Sequence, residues 1–366
     1  MDQRFHSLPT TGLRRRPPPA PLTPSLPSLP QQNCLLFTRL PAEIRNMIYM
    51  FVVASTPAHV FDPTTHPYPR QALYCRPGFP SPRRISVSLL QTCQRIYTEA
   101  ALLPAASNTH TFWSCYGPPH ARHSADPAKY FARMTAPQRE AVSKLQFFTQ
   151  EPYLKSGLRG ILQSLNYSSG MGICLKKLTL TLRHSDWLYW ELNWSLAMDP
   201  FRGQTVTATE IEEGEGSEVD EKAWGTQFVY VPALEELVIQ LETVMDKRDQ
   251  LDAIVRMART WRFPLVREEG WFLVYEEEGE RACRWIGVTE EAMREEVHRG
   301  WWPGQVSRKE WEAADAEEWA QRARSVPKFM PLRAGEEVDY DPSIDQEFYF
   351  VSMTWKRHRM LPAEHG

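Results

Sequence analysis

The sequence predicts an α+β protein, with helices in its N-terminal part and short strands alternating with helices after them. Three observations carry this expectation. Apolar residues recur at helical spacing over 41–53 and again over 86–103. From about residue 141 the pattern changes to short period-two runs, clearest at 175–182 and 234–241. Helical spacing returns after such runs, at 154–165 and 251–261. With 366 residues the chain is long enough for about two domains, and 42% hydrophobic residues exclude a wholly disordered chain.

The first segment is set apart by proline, of which the chain has 30. Pro21, Pro24, Pro27 and Pro30 recur at every third residue, the period of a polyproline II helix. Arg15, Pro18 and Pro21 fit an R-x-x-P-x-x-P ligand. The prolines forbid the amphipathic helix of a transit peptide, so 1–33 is expected to be a disordered Pro-rich tail. Then the pattern turns helical. Leu40 and Pro41 open a segment in which Ile44, Met47, Ile48, Phe51 and Val52 fall at i, i+3, i+4, i+7 and i+8. That spacing predicts one buried stripe, with Pro41 in the first turn where its missing N–H costs nothing. Residues 57–84 are Pro- and His-rich without period and read as an inserted loop. A second helix is expected from Ser86 to about Leu103, with Leu89, Cys93, Ile96, Tyr97 and Ala100 on one face and Pro104 just beyond its end.

The strings LPAEIRNMIY, SLLQTCQRIYTEAALLP and NTHTFW resemble the F-box-like module that opens many uncharacterised fungal proteins. Leu40, Pro41, Ile44, Ile48, Cys93, Tyr97 and Trp113 stand where that pattern places its Leu-Pro, spaced Ile, Cys, aromatic and final Trp. The resemblance covers about 34–113 and implies docking to a Skp1-type adaptor of a cullin ubiquitin ligase. Leu40, Pro41, Ile44 and Ile48 would form the contact. The 57–84 insertion is a departure, since it separates helices that lie close together in a compact F-box.

Downstream, 141–148, 175–182 and 234–241 read as strands and 154–165 and 251–261 as helices. Strand-then-helix units with LxxLxLxL-type strands suggest an irregular leucine-rich-repeat-like α/β body, although Leu145, Leu178 and Leu237 are too unevenly spaced for a regular solenoid. Arg183, His184 and Asp186 follow a strand directly, where open α/β sheets place ligands, and so form a candidate acid/base cluster. The plainer expectation is a helix capped by Ser185 or Asp186, with Trp187, Trp190 and Trp194 as its buried face. The acidic, Gly-containing stretch at about 203–223 is expected to be a disordered loop, and Ser217 in it resembles an acidophilic kinase site. His110, Cys115, His120 and His123 match no standard zinc spacing.

In the last part, 270–275 and 281–286 flank Glu278-Gly279 as an expected hairpin, and Thr289 and Ser307 open two expected helices. Trp301-Trp302-Pro303-Gly304 is a candidate recognition loop. Residues 346–355 form a strand apolar on both faces, which predicts a central position.

The expected organisation is a tail over 1–33, an F-box-like helical module over 34–113 with the inserted loop 57–84, and the α/β body over 114–366. A net charge of −3 excludes a polybasic binder, so no nucleic-acid partner is expected. No apolar run suits a bilayer, and six scattered Cys suit a reducing compartment, cytoplasmic or nuclear. The expected function is non-enzymatic protein interaction, without cofactor or metal, with an unknown protein partner on the α/β body. The alternative is an enzyme or ligand-binding protein with a pocket near His184 and Asp186.

Overall fold

The computed structural model describes residues 31–54, 56–57, 83–114, 127–166, 171–201, 223–266, 269–288, 329–331 and 345–359. Most of the Pro-rich tail, the acidic loop, the helices expected after Thr289 and Ser307, and the Trp301–Gly304 loop lie outside these residues.

The protein is α+β. Its N-terminal part is helical: α1 (Leu35–Thr38), α2 (Ala42–Val53), α3 (Gln94–Ala100) and α4 (Leu103–Ser107). Pro41 is the extended N-cap of α2 rather than a member of its first turn. The inserted segment begins and ends in two short strands, β1 (Thr56–Pro57) and β2 (Arg83–Arg84), which pair antiparallel, Thr56 with Arg84. The ends of the insertion therefore meet, and α2 still packs against α3.

The single helix expected over 86–103 is three pieces. A 3-10 turn at Ser88–Gln91 is followed by an extended Cys93, which then caps α3. Pro104 lies in the first turn of α4 instead of beyond a helix end, because a proline lacking its N–H starts a helix at no cost. Tyr49, Ile96 and Ala100 make a small core with Leu36, Phe37, Leu89 and Cys93. Ala105 on α4 belongs instead to the main core, and α4 packs on both α2 and α6 (Ala136–Ala141), so it bridges the two parts.

Among the described residues the body is an eight-stranded mixed sheet. Its first four strands run parallel in chain order: β3 (His110–Trp113), β4 (Lys144–Phe148), β5 (Lys177–Leu182) and β6 (Glu236–Val244). The remaining strands are antiparallel. β10 (Asp345–Arg359) lies between β6 and β8 (Trp271–Val288), while β7 (Arg262–Val266) and β9 (Phe329–Pro331) pair with the far edge of β8. His110–Trp113, the end of the expected helical module, is thus a strand of the sheet. Leu145 pairs with Leu178, and Leu178 with Leu237, so three leucines unevenly spaced in sequence form one row across the sheet. Alternation puts Leu178, Leu180 and Leu182 on the main core with Leu237, Ile239 and Leu241. Helices α5 (Pro127–Phe131), α8 (Leu158–Leu165) and α9 (Arg248–Ala258) contribute Phe131, Leu162 and Leu251 to that core.

Two expectations are corrected here. The helix expected over 154–165 is split into α7 (Glu151–Ser156) and α8 at Gly157, where a Cβ would lie 2.3 Å from the Tyr153 ring. The hairpin expected around Glu278-Gly279 does not form: β8 is one strand, with a register irregularity opposite Ser352 and Thr354. β10 pairs with both halves of β8, so the residues around Gly279 bulge out of the ladder instead of reversing the chain. Glycine is required there, since a Cβ on Gly279 would lie 2.6 Å from Thr354 Cβ. β10 is paired on both sides, as its two apolar faces predict.

Candidate functional site

Helix α2 presents the opposite of the expected face. It buries Arg45, Tyr49 and Val53, at i, i+4 and i+8. Ile44 is 42% exposed, Met47 61%, Ile48 37% and Phe51 82%, so the expected core stripe faces outward. At about 100° per residue, the buried row is displaced by roughly 130° from the predicted one. Pro41 is exposed and Leu40 half-buried, which extends the apolar surface to the start of the helix. Leu40, Pro41, Ile44 and Ile48, the residues the resemblance singles out, therefore all reach the surface.

On the buried side lies a polar network that periodicity could not reveal. Glu99 on α3 accepts from Arg45 Nε at 2.9 Å through one oxygen and from a terminal guanidinium nitrogen at 2.9 Å through the other. Tyr49 Oη donates to the same carboxylate at 2.9 Å, and Arg95 Nε at 3.2 Å. Arg45 also donates to the Leu40 carbonyl at 2.8 Å, tying the guanidinium to the start of the helix. Phe37 lies beneath both arginines, 5.6 Å from the Arg45 guanidinium and 4.2 Å from that of Arg95. Asn108 donates to the Val53 carbonyl at 2.9 Å and holds the other end of α2. The hydrogen bond from Arg45 keeps the Glu99 carboxyl below its ordinary range, and burial raises the Tyr49 phenol to about 12. Full burial of an Ile, Met or Phe side chain contributes about 1.5–3 kcal/mol, so leaving this stripe in water forgoes a substantial stabilisation.

The second candidate cluster follows β5. Asp186 is buried and faces Arg183: it accepts from the Arg183 backbone N at 2.9 Å and side-chain Nε at 2.7 Å, and its second oxygen accepts from the guanidinium at 2.9 Å. That guanidinium lies 5.2 Å from the ring of Trp113, which stacks on Phe148 at 3.6 Å between centroids. Both Asp186 oxygens are thus engaged in a closed ion pair.

His184 packs against Trp190 and Phe348, its backbone N donates to Glu242 at 3.4 Å, and its buried Nδ1 has no hydrogen-bond partner among the described residues. Burial, and then the nearby Lys247 ammonium, push its pKa down to about 4, so the ring is neutral at neutral pH. Glu242 on β6 and Lys247 at the start of α9 were not singled out by sequence. Buried Glu242 accepts from Trp285 Nε1 at 3.1 Å, and Lys247 donates to the Trp194 carbonyl at 2.6 Å. In the sequence Glu242 reads as one more polar residue in the alternation of β6, and nothing marks its distant partners.

The expected tryptophan-faced helix is absent. His184–Asp186 and Trp190–Leu192 are separate 3-10 turns, and Tyr189 and Asn193 have φ of 53° and 54°. These left-handed residues reverse the backbone, so the three tryptophans share no face. Trp187 is buried and donates to the Glu242 carbonyl at 2.8 Å, Trp190 is half-buried, and Trp194 is 55% exposed. Asp186 is no helix cap, because its carboxylate belongs to Arg183.

His110 is buried, with its two ring nitrogens at 3.2 Å from Tyr130 Oη and 3.1 Å from the Ala105 carbonyl. Cys115, His120 and His123 lie outside the described residues. Among the described residues no group of three His, Cys, Asp or Glu is placed to hold a metal ion, and no helix is long and apolar enough to cross a membrane.

The neutral His184 has a measurable consequence. The unfolded histidine titrates near 6.5 and the folded one near 4, so between those values the unfolded chain holds more protons. Stability therefore falls as the pH drops through that window, by on the order of 3 kcal/mol in all. Denaturant unfolding of wild type and His184→Gln at about pH 7 and about pH 4.5 should show the smaller acid loss in the variant. Equal losses would reject the assignment.

In comparisons with protein-family models, with curated proteins and with solved structures, none matches this chain.

Proposed function

We propose that the protein is a non-enzymatic interaction protein of F-box type. Its helical module docks a Skp1-type adaptor through Leu40, Pro41, Ile44 and Ile48, extended by Met47 and Phe51. The leucine-rich-repeat-like body, whose parallel strands align Leu145, Leu178 and Leu237, then offers a surface for the protein to be recruited. The observation that carries the reading is α2 itself, which buries an arginine and a tyrosine while leaving its apolar stripe in water. A contiguous exposed apolar face marks an interaction site, and apolar residues at i, i+3, i+4 and i+7 suit helix-in-groove docking. The paired ends of the 57–84 insertion support the reading too, since they let the flanking helices pack together. Small-molecule chemistry at His184 and Asp186 has less support, because the Asp186 carboxylate is committed to Arg183.

The test is a binding titration of the full chain with a purified Skp1-type adaptor. Wild type should bind. Phe51→Arg with Met47→Glu should weaken binding by about 30-fold or more, the effect of losing one strong hot spot. Both positions are exposed, so the melting temperature should hold, which the variant Pro41→Ala with Ile44→Glu does not guarantee. Absence of binding by wild type would reject the adaptor reading.

A further inference from the structure

We infer that Glu99 sets the rotation of α2 about its own axis, and so decides whether the apolar face of that helix is offered to a partner. The inference deepens the docking reading and rests on it for its consequence, while the rotation itself can be measured separately.

Two faces of α2 compete for the interior. One is the row Arg45, Tyr49 and Val53, and the other is the stripe Ile44, Met47, Ile48, Phe51 and Val52. On transfer of apolar surface alone the stripe would win, because it carries five large apolar side chains and no charge. The observed rotation is the other one. Arg45 reaches the two oxygens of Glu99 through two nitrogens, each at 2.9 Å, and Tyr49 adds a third bond to the same carboxylate. A bidentate arginine–carboxylate pair fixes direction as well as distance, which a greasy contact does not. Glu99 lies on a different helix, so its bonds to two successive turns of α2 define the angle of that helix.

Taking Glu99 away removes both carboxylate bonds of Arg45 and leaves its guanidinium only the Leu40 carbonyl and the Phe37 ring among the contacts described above. Arg45 is then better in water, and rotating it outward brings Ile44, Met47 and Phe51 toward Ile96, Ala100 and Leu103. The docking face disappears by being buried. Glu99 is thus a positioning residue, acting through Arg45 and Tyr49 on a surface it does not itself form.

Thiol labelling reads the rotation. In the full chain, Phe51→Cys reports the outward face and Val53→Cys the inward one, since these side chains are 82% and 0% exposed. Maleimide modification at each position is followed by mass spectrometry of the labelled peptide. With Glu99 present, Phe51→Cys should label fast and Val53→Cys slowly. Adding Glu99→Ala should slow Phe51→Cys about tenfold, as when about nine-tenths of molecules are rotated, and should speed Val53→Cys. Replacing both partners, Arg45→Met with Glu99→Met, removes the same bonds without stranding a charge, so it should likewise leave Phe51→Cys slow and Val53→Cys fast. Adaptor affinity of Glu99→Ala should fall by a similar factor. Unchanged rates in Glu99→Ala would overturn the inference, and so would faster labelling at both positions, which would mean local unfolding. If wild type binds no adaptor while the labelling follows the expected pattern, the docking reading fails and the rotation stands.

Discussion

Asp186→Ala is expected to destabilise the protein by about 3–5 kcal/mol, the cost of breaking a buried ion pair by removing one partner. The side chains of Arg183 and Asp186 are only 8% and 0% exposed, so water has little access to replace the lost carboxylate. Asp186 also accepts the Arg183 backbone N–H at 2.9 Å, which would lose its partner as well. The aromatic rings of Trp113 and Phe148 would remain beside the cation, 5.2 and 5.9 Å away, but a ring face is a weak substitute for a carboxylate. Denaturant unfolding measures the effect. Replacing the pair together, Arg183→Met with Asp186→Leu, should cost much less, because no charge is left stranded. If Asp186→Ala were as stable as wild type, the closed pair would not be structural, and chemistry at Asp186 would regain its interest.

Trp355→Ala should cost a comparable amount, about 3–5 kcal/mol, as truncation of a buried aromatic does. Trp355 is 0% exposed at the middle of the sheet, where it pairs with Leu237 on one side and Tyr275 on the other. Its ring meets Trp261, Phe263 and Tyr275 at centroid distances of 6.3, 5.5 and 5.9 Å, and its Nε1 donates to the Trp261 carbonyl at 3.3 Å. Truncation opens a cavity that rigid strands on both sides cannot close. Trp194→Ala, at an exposed ring, is the matched control and should change stability by no more than about 0.5 kcal/mol. Similar thermal shifts for the two variants would contradict the placement of β10 at the centre.

The opening of α2 was legible, because Leu-Pro followed by spaced apolar residues is a local pattern. That the stripe faces outward was not, since the deciding carboxylate, Glu99, is 54 residues from Arg45 along the chain. The cluster after β5 has the same history. Arg183, His184 and Asp186 were visible as neighbours, but Glu242 meets the His184 backbone from 58 residues away.

By itself the sequence determined the local elements: the strands at β5, β6 and β10, the helices α2 and α9, and the α+β class they imply. Period-two and 3.6-residue patterns belong to the chain's own geometry and survive any arrangement of their surroundings. It also determined that β10 is paired on both sides, because two apolar faces leave no face for water. The tertiary structure alone decided which side of α2 is buried, that β8 continues through Gly279 instead of turning, and that three tryptophans at helical spacing share no helix. Periodicity groups residues on a face without saying what that face will meet. The answer lies with partners distant in sequence: Glu99 opposite Arg45, β10 along both halves of β8, and Glu242 against Trp187.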